Sequence, residues 1–111
     1  MPCLFCQIIK KEIPSEVVYE DDKVLGFKDI NPEAPIHILF VPKKHVEWKD
    51  DLAGEKDDLL AVILAAKKVA REKNIFSACK LVFNIGETGE IPHIHLHLLG
   101  GWENEIPKKV S

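Results

Sequence analysis

Three of the 5 histidines in this chain alternate with apolar residues in the segment 92–99, whose sequence is Pro-His-Ile-His-Leu-His-Leu-Leu. On a β-strand, successive side chains point to opposite faces, so His93, His95 and His97 are expected on one face and the apolar residues in a core. A solvated strand face with chance histidines is the weaker alternative, because such clusters are typical of metal and catalytic sites. The pattern therefore predicts a chemical site on this strand.

The spacing of the three histidines limits what they can do together. A strand rises about 3.3 Å per residue, so His93 and His97 are expected about 13 Å apart. Zn–N bonds are only about 2.1 Å long, so three histidines on a straight strand cannot readily ligate one ion, although His93 and His95 could share one. At least one ring is left for other work, and a neutral histidine with one bare nitrogen can act as a nucleophile.

The 3 cysteines predict metal or thiol chemistry rather than a disulfide framework, because their number is odd and Cys3 and Cys6 form a close C-x-x-C pair. Together with two histidines, such a pair would make a closed tetrahedral site of the structural Cys2His2 type. A C-x-x-C pair alone is a weak signal, and an N-terminal pair can also be frayed and without function.

Length and composition predict one domain over residues 1–111. The chain has 111 residues, 46% of them hydrophobic and 30% charged, which is typical of a soluble globular protein. The net charge is −3 and acids and bases are mixed, so no basic stripe predicts nucleic-acid binding. We expect no membrane span, since no apolar run approaches about 20 residues, and a cytoplasmic location, since no signal peptide is visible.

The hydrophobic pattern predicts a compact α+β fold with two helices and five strands. The helices are expected at Leu4 to Lys11, ending before Ile13-Pro14, and at Asp57 to Lys73. Strands are expected at Val17 to Tyr19, Val24 to Lys28, Ile36 to Val41, Leu81 to Asn84 and His93 to Leu99. The long helix has a broad apolar stripe, which can cover the core alone or a partner as well.

The histidine segment resembles the signature of the histidine-triad family, His-Φ-His-Φ-His-Φ-Φ with Φ apolar, and the match extends through Leu98 and Leu99. Segment 27–45 is similar to the other long block of the family, segment 6–14 to its N-terminal block, and Gly100-Gly101 also fits. The resemblance covers nearly the whole chain and is closest to the Hint-like branch of small purine-nucleotide-binding hydrolases. It implies an α+β fold with a five-stranded antiparallel sheet, one long and one short helix, and a homodimer across which the sheet extends.

The same resemblance implies roles for three histidines. His95, the middle member of the triad, corresponds to the nucleophile, and His97 to the histidine that contacts the α-phosphate and stabilises its developing charge. His37 corresponds to the position beside the third triad histidine, near phosphate and leaving group. From the residues alone, a hydrogen-bonded core histidine is the more common explanation for His37.

A purine-nucleotide site is also implied by correspondence with the family. Asp29 corresponds to the carboxylate that accepts from the ribose hydroxyls, Asn84 to an asparagine near ribose and phosphate, and Gly89 to a loop glycine whose backbone approaches phosphate. Four residues correspond to the apolar walls around the purine: Phe5, Ile8, Phe27 and Ile30. The residues alone are equally consistent with Asp29 as a turn residue, and they favour ordinary core positions for the four apolar side chains.

Some zinc-binding members of the superfamily combine the C-x-x-C pair with the histidine after Pro-Lys-Lys and with the first triad histidine, which are His45 and His93 here. The implied ligands of one structural zinc per chain are Cys3, Cys6, His45 and His93. No organic cofactor is implied. In this arrangement His95 and His97 remain for phosphate, and Cys79 has no partner and is expected to be a small buried residue.

The loop before the triad departs from the family pattern. The family has Gly-Gln-Ser/Thr-Val there, with a hydroxyl on the scissile phosphate and leaving group, whereas this chain has Gly89-Glu90-Ile91-Pro92. The hydroxyl is missing, and Glu90 stands nearest to its place. A carboxylate about 4 Å from a phosphate would cost about 4 kcal/mol at an effective dielectric constant of about 20. We therefore expect Glu90 to turn outward, or the site to accept a different leaving group.

Two functions follow from the resemblance. The first is an enzyme that cleaves purine nucleoside phosphoramidates or related conjugates of AMP or GMP through a covalent nucleotidyl-His95 intermediate. The alternative is a nucleotide-binding sensor or partner protein with little turnover, because the loop before the triad is altered. The complete triad favours the enzyme, since function is argued from the site and not from the fold.

Overall fold

Alternating apolar residues build a five-stranded sheet in the computed structural model, which describes residues 3–85 and 91–102. In chain order the elements are α1 (Leu4–Ile9), β1 (Val17–Glu20), β2 (Val24–Lys28), β3 (Ile36–Pro42), α2 (Lys56–Glu72), β4 (Cys79–Phe83) and β5 (Leu96–Gly100), with a 3-10 turn at Ala53–Glu55. The strand order is β1-β2-β3-β5-β4, and each neighbouring pair is antiparallel. The predicted fold of five antiparallel strands with one long and one short helix is confirmed.

The long helix α2 covers one face of the sheet. Asp57 and Asp58 in its first turn and Arg71 in its last turn complement the helix dipole. The helix packs on β2, β3 and β5. The core between helix and sheet includes the buried side chains of Val62, Ala66, Val69, Ile38, Phe40, Leu96 and Leu98. No helix among the described residues, α2 included, is long and apolar enough to cross a lipid bilayer.

Side chains alternate between the two faces along the central strands, so those that do not point toward α2 point to the opposite face of the sheet. In β3, Ile38 and Phe40 belong to the core under α2, whereas Leu39 and Val41 belong to a second apolar cluster. That second cluster is built between α1 and the sheet, and its buried members are Phe5, Ile8, Leu25, Phe27, Leu39 and Val41. The alternation places His37 on this second face, which carries the candidate site.

Strands β2 and β3 pair closely because residue 26 is glycine. A Cβ atom on Gly26 would lie 2.8 Å from Cε1 of Phe40 and 3.2 Å from Cβ of Tyr19. Phe40 is fully buried, so its ring could not move aside without disturbing a close-packed core. The pairing that results brings the end of β2 beside the start of β3, where the amide of Asp29 donates to the carbonyl of His37 over 3.0 Å.

The last strand is shorter than the sequence predicted. Strand β5 begins at Leu96 instead of His93, and residues 93 and 94 contact the loop that follows β3. There His93 forms an isolated bridge with Glu47, and the amide of Ile94 donates to the carbonyl of Val46 over 2.7 Å. The prediction of a regular strand over all three triad histidines was wrong, although Leu96 is fully buried as the alternation requires. The predicted bounds of β2 are confirmed at both ends, and the bounds of the other elements, β5 apart, agree with the predicted ones to within two residues.

The apolar stripe of α2 is wider than the core beneath it. Leu60, Ile63 and Leu64 are spaced to share one side of the helix, and they are 54%, 39% and 52% exposed. On edge strand β4, Leu81 is 46% exposed. The helix and this sheet edge therefore leave apolar side chains in contact with solvent.

Candidate active site and metal cluster

A cleft of about 530 Å³ opens on the face of the sheet opposite α2. Part of its lining is apolar: Phe5, Ile8 and Phe27 are buried there, and the rings of Phe5 and Phe27 are 5.8 Å apart. Ile30 also lines the cleft but is 91% exposed, so it lies at the rim. The polar lining residues include Asp29, His37, Asn84, His95 and His97. An apolar planar group with a polar or anionic tail fits this distribution.

The backbone holds His95 in one tautomer. Its Nδ1–H donates to the carbonyl oxygen of His93 over 2.9 Å. A carbonyl can only accept, so a neutral His95 ring leaves Nε2 bare. The ring is buried and lies edge-on to Phe5, with the ring centroids 5.0 Å apart. A bare, oriented imidazole nitrogen is what a histidine nucleophile requires.

His37 and His97 are joined across neighbouring strands. His97 pairs with Leu39 and His37 with Leu99 in the β3–β5 register, and Nε2 of His37 lies 2.8 Å from Nδ1 of His97. Two nitrogens on one tetrahedral metal ion would be about 3.4 Å apart, so we assign this contact as a hydrogen bond. Burial lowers the pKa of His97 to about 4 and also lowers the pKa of His37. Both rings are therefore neutral near pH 7.

Asp29, which follows β2, contacts both a turn and a histidine. Its Oδ1 accepts from the backbone N–H of Asn31 over 2.8 Å, which is the geometry of an aspartate turn. Its Oδ2 lies 3.4 Å from Nε2 of His37. An ionised carboxylate has further acceptor capacity, so both explanations given above, turn residue and acceptor at the cleft, have a structural basis.

Asn84, directly after β4, brings its side-chain amide to His97. Its Nδ2 lies 3.3 Å from Nε2 of His97. Two residues of the predicted phosphate loop, Gly89 and Glu90, lie outside the described residues. Ile91 lines the cleft and packs against the apolar cluster around Phe5.

A second group of side chains meets beside the cleft. Cys3, Cys6, His45 and His93 place their ligand atoms within 4.8 Å of one another. Sγ of Cys6 lies 3.2 Å from Nδ1 of His45 and 3.6 Å from Nδ1 of His93, and Sγ of Cys3 lies 3.5 Å from Nδ1 of His93. In a tetrahedral site with Zn–S of about 2.3 Å and Zn–N of about 2.1 Å, sulfur and nitrogen are about 3.6 Å apart. These four residues fit a zinc ion.

Hydrogen bonds orient both histidines of this metal cluster. Nε2–H of His45 donates to Oε2 of Glu47 over 2.8 Å, and Nε2–H of His93 donates to the carbonyl of Pro42 over 2.8 Å. Each bond leaves Nδ1 of the neutral ring bare and facing the sulfurs, which is the state in which histidine binds a metal. His93 is fully buried, and burial lowers its pKa, so its ring is neutral near pH 7.

Besides the carbonyl of His93, which orients His95, three further groups that orient the histidines were not expected from the sequence. They are the amide of Glu33, which donates to Nδ1 of His37 over 3.0 Å, the carbonyl of Pro42 and the carboxylate of Glu47. Glu47 could have been found, because metal-binding histidines usually donate to a carboxylate and it lies two residues after His45. The other two are backbone groups, which no side-chain pattern reveals.

Cys79 lies apart from the metal cluster at the start of β4. It is half-buried, less than we expected, and its Sγ is 4.0 Å from the carbonyl of Phe76. Burial raises the pKa of its thiol.

Comparison with known proteins agrees with this geometry. The family model described as "Scavenger mRNA decapping enzyme C-term binding" matches residues 2–108. The solved structure of a histidine triad protein from Clostridium difficile is similar to this chain, with 40% identity, a TM-score of 0.88, and coverage of 99% of this chain and 97% of that one. The chain belongs to the histidine-triad family.

Three further relatives have names that state a ligand or an activity. A 14 kDa zinc-binding protein of Zea mays is 46% identical over 96% of this chain and 87% of its own length. An adenylylsulfatase, HINT1 of Arabidopsis thaliana, is 42% identical over 96% of this chain and 76% of its own length. A HIT family hydrolase from Legionella pneumophila Philadelphia 1 is 40% identical, with a TM-score of 0.87 and coverage of 97% and 100%. The resemblance inferred from the motifs is confirmed.

Proposed function

We propose that this chain is a nucleotidyl hydrolase or transferase that acts on purine nucleoside phosphoramidates or related AMP conjugates through a covalent nucleotidyl-His95 intermediate. The observation that carries the proposal is the bare Nε2 of His95, which the carbonyl of His93 orients in a lined cleft. The names of two family members support it, since one is called an adenylylsulfatase and another a hydrolase.

The lining of the cleft suggests where each part of the nucleotide binds. The purine packs against the apolar residues, which are Phe5, Ile8, Phe27 and Ile30. The ribose hydroxyls donate to the carboxylate of Asp29, which has free acceptor capacity. The α-phosphate lies among His95, His97 and Asn84, where uncharged donors and one bare nitrogen meet.

The reaction proceeds in two displacements. Nε2 of His95 attacks the α-phosphorus and forms a P–N bond while the bond to the leaving amine breaks, and the amine departs with a proton taken up from solvent. Water then attacks the phosphorus of nucleotidyl-His95, the P–N bond breaks, AMP and neutral His95 are released, and one proton of the water returns to solvent. Donors on the phosphate oxygens, His97 and Asn84, stabilise the charge that develops in both steps. A different acceptor in place of water makes the same chemistry a transfer.

Incubation with adenosine 5′-phosphoramidate tests this proposal. We expect saturable release of AMP, measured by chromatography. The second candidate, a nucleotide-binding sensor or partner protein with little turnover, is favoured by the altered segment 89–92. Calorimetric binding of AMP without any AMP release would support the sensor and contradict the enzyme.

We further propose that Cys3, Cys6, His45 and His93 hold one structural zinc per chain in the reducing cytoplasm. The donor set and its hydrogen bonds support this, as does the name of the Zea mays relative. Four protein ligands close a tetrahedral site and leave no position for substrate, so the ion supplies structure rather than Lewis-acid chemistry. It would connect α1 to the loop after β3 and to the residues before β5.

Asp29→Ala is expected to weaken AMP binding about tenfold and to change binding of the 2′,3′-dideoxy analogue much less, because only AMP offers hydroxyls to the carboxylate. Alanine also removes the turn contact with Asn31, so Asp29→Asn is the matched control. Its Oδ1 keeps that contact while the charge is lost, and an intermediate loss of AMP affinity is expected. Calorimetry with both ligands measures the effect, and equal losses for both would assign Asp29 to the turn alone.

We also propose a homodimer formed through α2 and edge strand β4, because both leave apolar side chains exposed. Leu64→Glu is expected to convert a dimer at micromolar concentration into a monomer. The matched control is Val17→Glu on β1, the opposite edge of the sheet, which should remain a dimer. Sedimentation velocity distinguishes the two species, and a wild-type monomer at this concentration would contradict the proposal.

A further inference from the structure

The hydrogen bonds of His37 determine which of its two ring nitrogens carries the proton. The backbone N–H of Glu33 donates to Nδ1 of His37 over 3.0 Å. An amide N–H can only donate, so Nδ1 is bare and the proton of the neutral ring is on Nε2. Two acceptors lie near that nitrogen: Nδ1 of His97 at 2.8 Å and Oδ2 of Asp29 at 3.4 Å. The carboxylate contact, at 3.4 Å, is the longest of these and agrees with the same direction, because an ionised carboxylate can only accept.

The hydrogen bond from His37 also determines the tautomer of His97. Because Nε2–H of His37 donates to Nδ1 of His97, that nitrogen is bare and the neutral ring of His97 carries its proton on Nε2. This Nε2–H lies 3.3 Å from the side-chain amide of Asn84. Rotation of that amide presents its oxygen as the acceptor when the cleft is empty, and its Nδ2–H₂ as a second donor when an anionic oxygen binds to Nε2–H of His97.

We propose that the backbone amide of Glu33, acting through His37, sets the tautomer of His97 and makes it an uncharged hydrogen-bond donor toward the phosphate. The identity of the acceptor as phosphate rests on the proposed function. His95 has the opposite tautomer, because its Nδ1–H donates to the carbonyl of His93. Two histidines on one segment therefore do different work: His95 presents a lone pair for attack, and His97 presents a proton. Glu33 is a positioning residue.

The reverse arrangement shows why this direction matters. If Nδ1–H of His97 donated to a bare Nε2 of His37, Nε2 of His97 would be bare and would face a phosphate oxygen with its lone pair. The contact would then be repulsive instead of attractive. The donated backbone bond at Nδ1 of His37 excludes that arrangement, because it leaves only Nε2 to carry the proton.

Spectra of the wild-type protein as purified test the inference without substrate. Two-bond ¹H–¹⁵N correlations of uniformly labelled protein at pH 7 separate bare from protonated imidazole nitrogens. We expect His37 and His97 to be protonated only at Nε2 and the neutral form of His95 to carry its proton at Nδ1, together with an N–N coupling across the bond from Glu33 to His37. A His97 protonated at Nδ1, or an absent coupling, overturns the inference. Failure to release AMP counts against the proposed function alone, since these spectra need no turnover.

Glu33→Pro removes the amide proton, and Glu33→Ala, the matched control, keeps it. We expect Glu33→Pro to show mixed tautomers at His37 and His97, an unchanged His95, and a kcat at least about tenfold lower. Glu33→Ala keeps the backbone N–H and is expected to keep the wild-type tautomers of His37 and His97. A folded Glu33→Pro with the wild-type tautomers overturns the inference, and the wild-type spectrum decides the question if that variant does not fold.

Discussion

The His95→Ala variant is expected to release AMP from adenosine 5′-phosphoramidate at least about 10⁴-fold more slowly than the wild type. The first displacement uses the Nε2 lone pair of His95, which alanine does not have, so the covalent intermediate cannot form. Binding of AMP is expected to change less than about tenfold, because the apolar lining, Asp29 and His97 remain. Chromatographic assay of AMP and calorimetric titration measure the two effects separately.

A second variant at the same position, and detection of the covalent intermediate by mass spectrometry, make this test stronger. His95 is buried, so alanine leaves a cavity beside Phe5, whereas His95→Gln keeps a polar side chain of similar length and equally lacks the nucleophile. Both variants are expected to be inactive. Mass spectrometry of wild type quenched during turnover should find an adenylyl group on His95. Rates in the variants that are comparable with the wild type would rule out the covalent mechanism.

Protein purified under reducing conditions without chelator is expected to contain about one zinc per chain, and Cys6→Ser to contain none. The cluster joins residues that are distant along the chain, Cys6 to His45 and His93, so zinc binding contributes directly to the free energy of folding. A chain of this size changes its melting temperature by about 4 °C for each kcal/mol. Loss of the ion is therefore expected to lower the melting temperature by about 10 °C or more, measured by calorimetry alongside elemental analysis.

Cys79→Ser is the matched control for the zinc prediction, because Cys79 is a half-buried cysteine outside the cluster. It should keep the zinc and lose only a few degrees of stability. Cys6→Ser is expected to retain some turnover, since a closed four-ligand site takes no part in the chemistry. Any decrease in rate would be indirect. His93 is one of the proposed zinc ligands, and its carbonyl also accepts the hydrogen bond that orients the ring of His95. Finding no zinc in the wild-type protein would contradict the proposed metal site. The proposed roles of His95 and His97 would be unaffected.

Side-chain patterns were sufficient to predict the sheet and its helices. The stripe of α2 placed that helix within one residue at each end, because burial on a helix repeats with its own period. Alternation in the triad segment correctly predicted that Leu96 and Leu98 are buried, because strand faces alternate at each residue. The quartet Cys3, Cys6, His45 and His93, implied by the family resemblance, is brought within 4.8 Å. These features depend on residue type, which a sequence states directly.

Only the tertiary structure decided how each histidine is oriented. His93 leaves the strand pattern because it bridges to Glu47, a contact set by the path of the loop after β3. The groups that choose the tautomers of His95 and His37 are the carbonyl of His93 and the amide of Glu33. Almost every residue carries the same backbone N–H and C=O, so no sequence pattern marks the ones that will meet an imidazole. The path of the backbone and the pairing of β3 with β5 make that choice, and thus two histidines of identical chemistry acquire opposite roles.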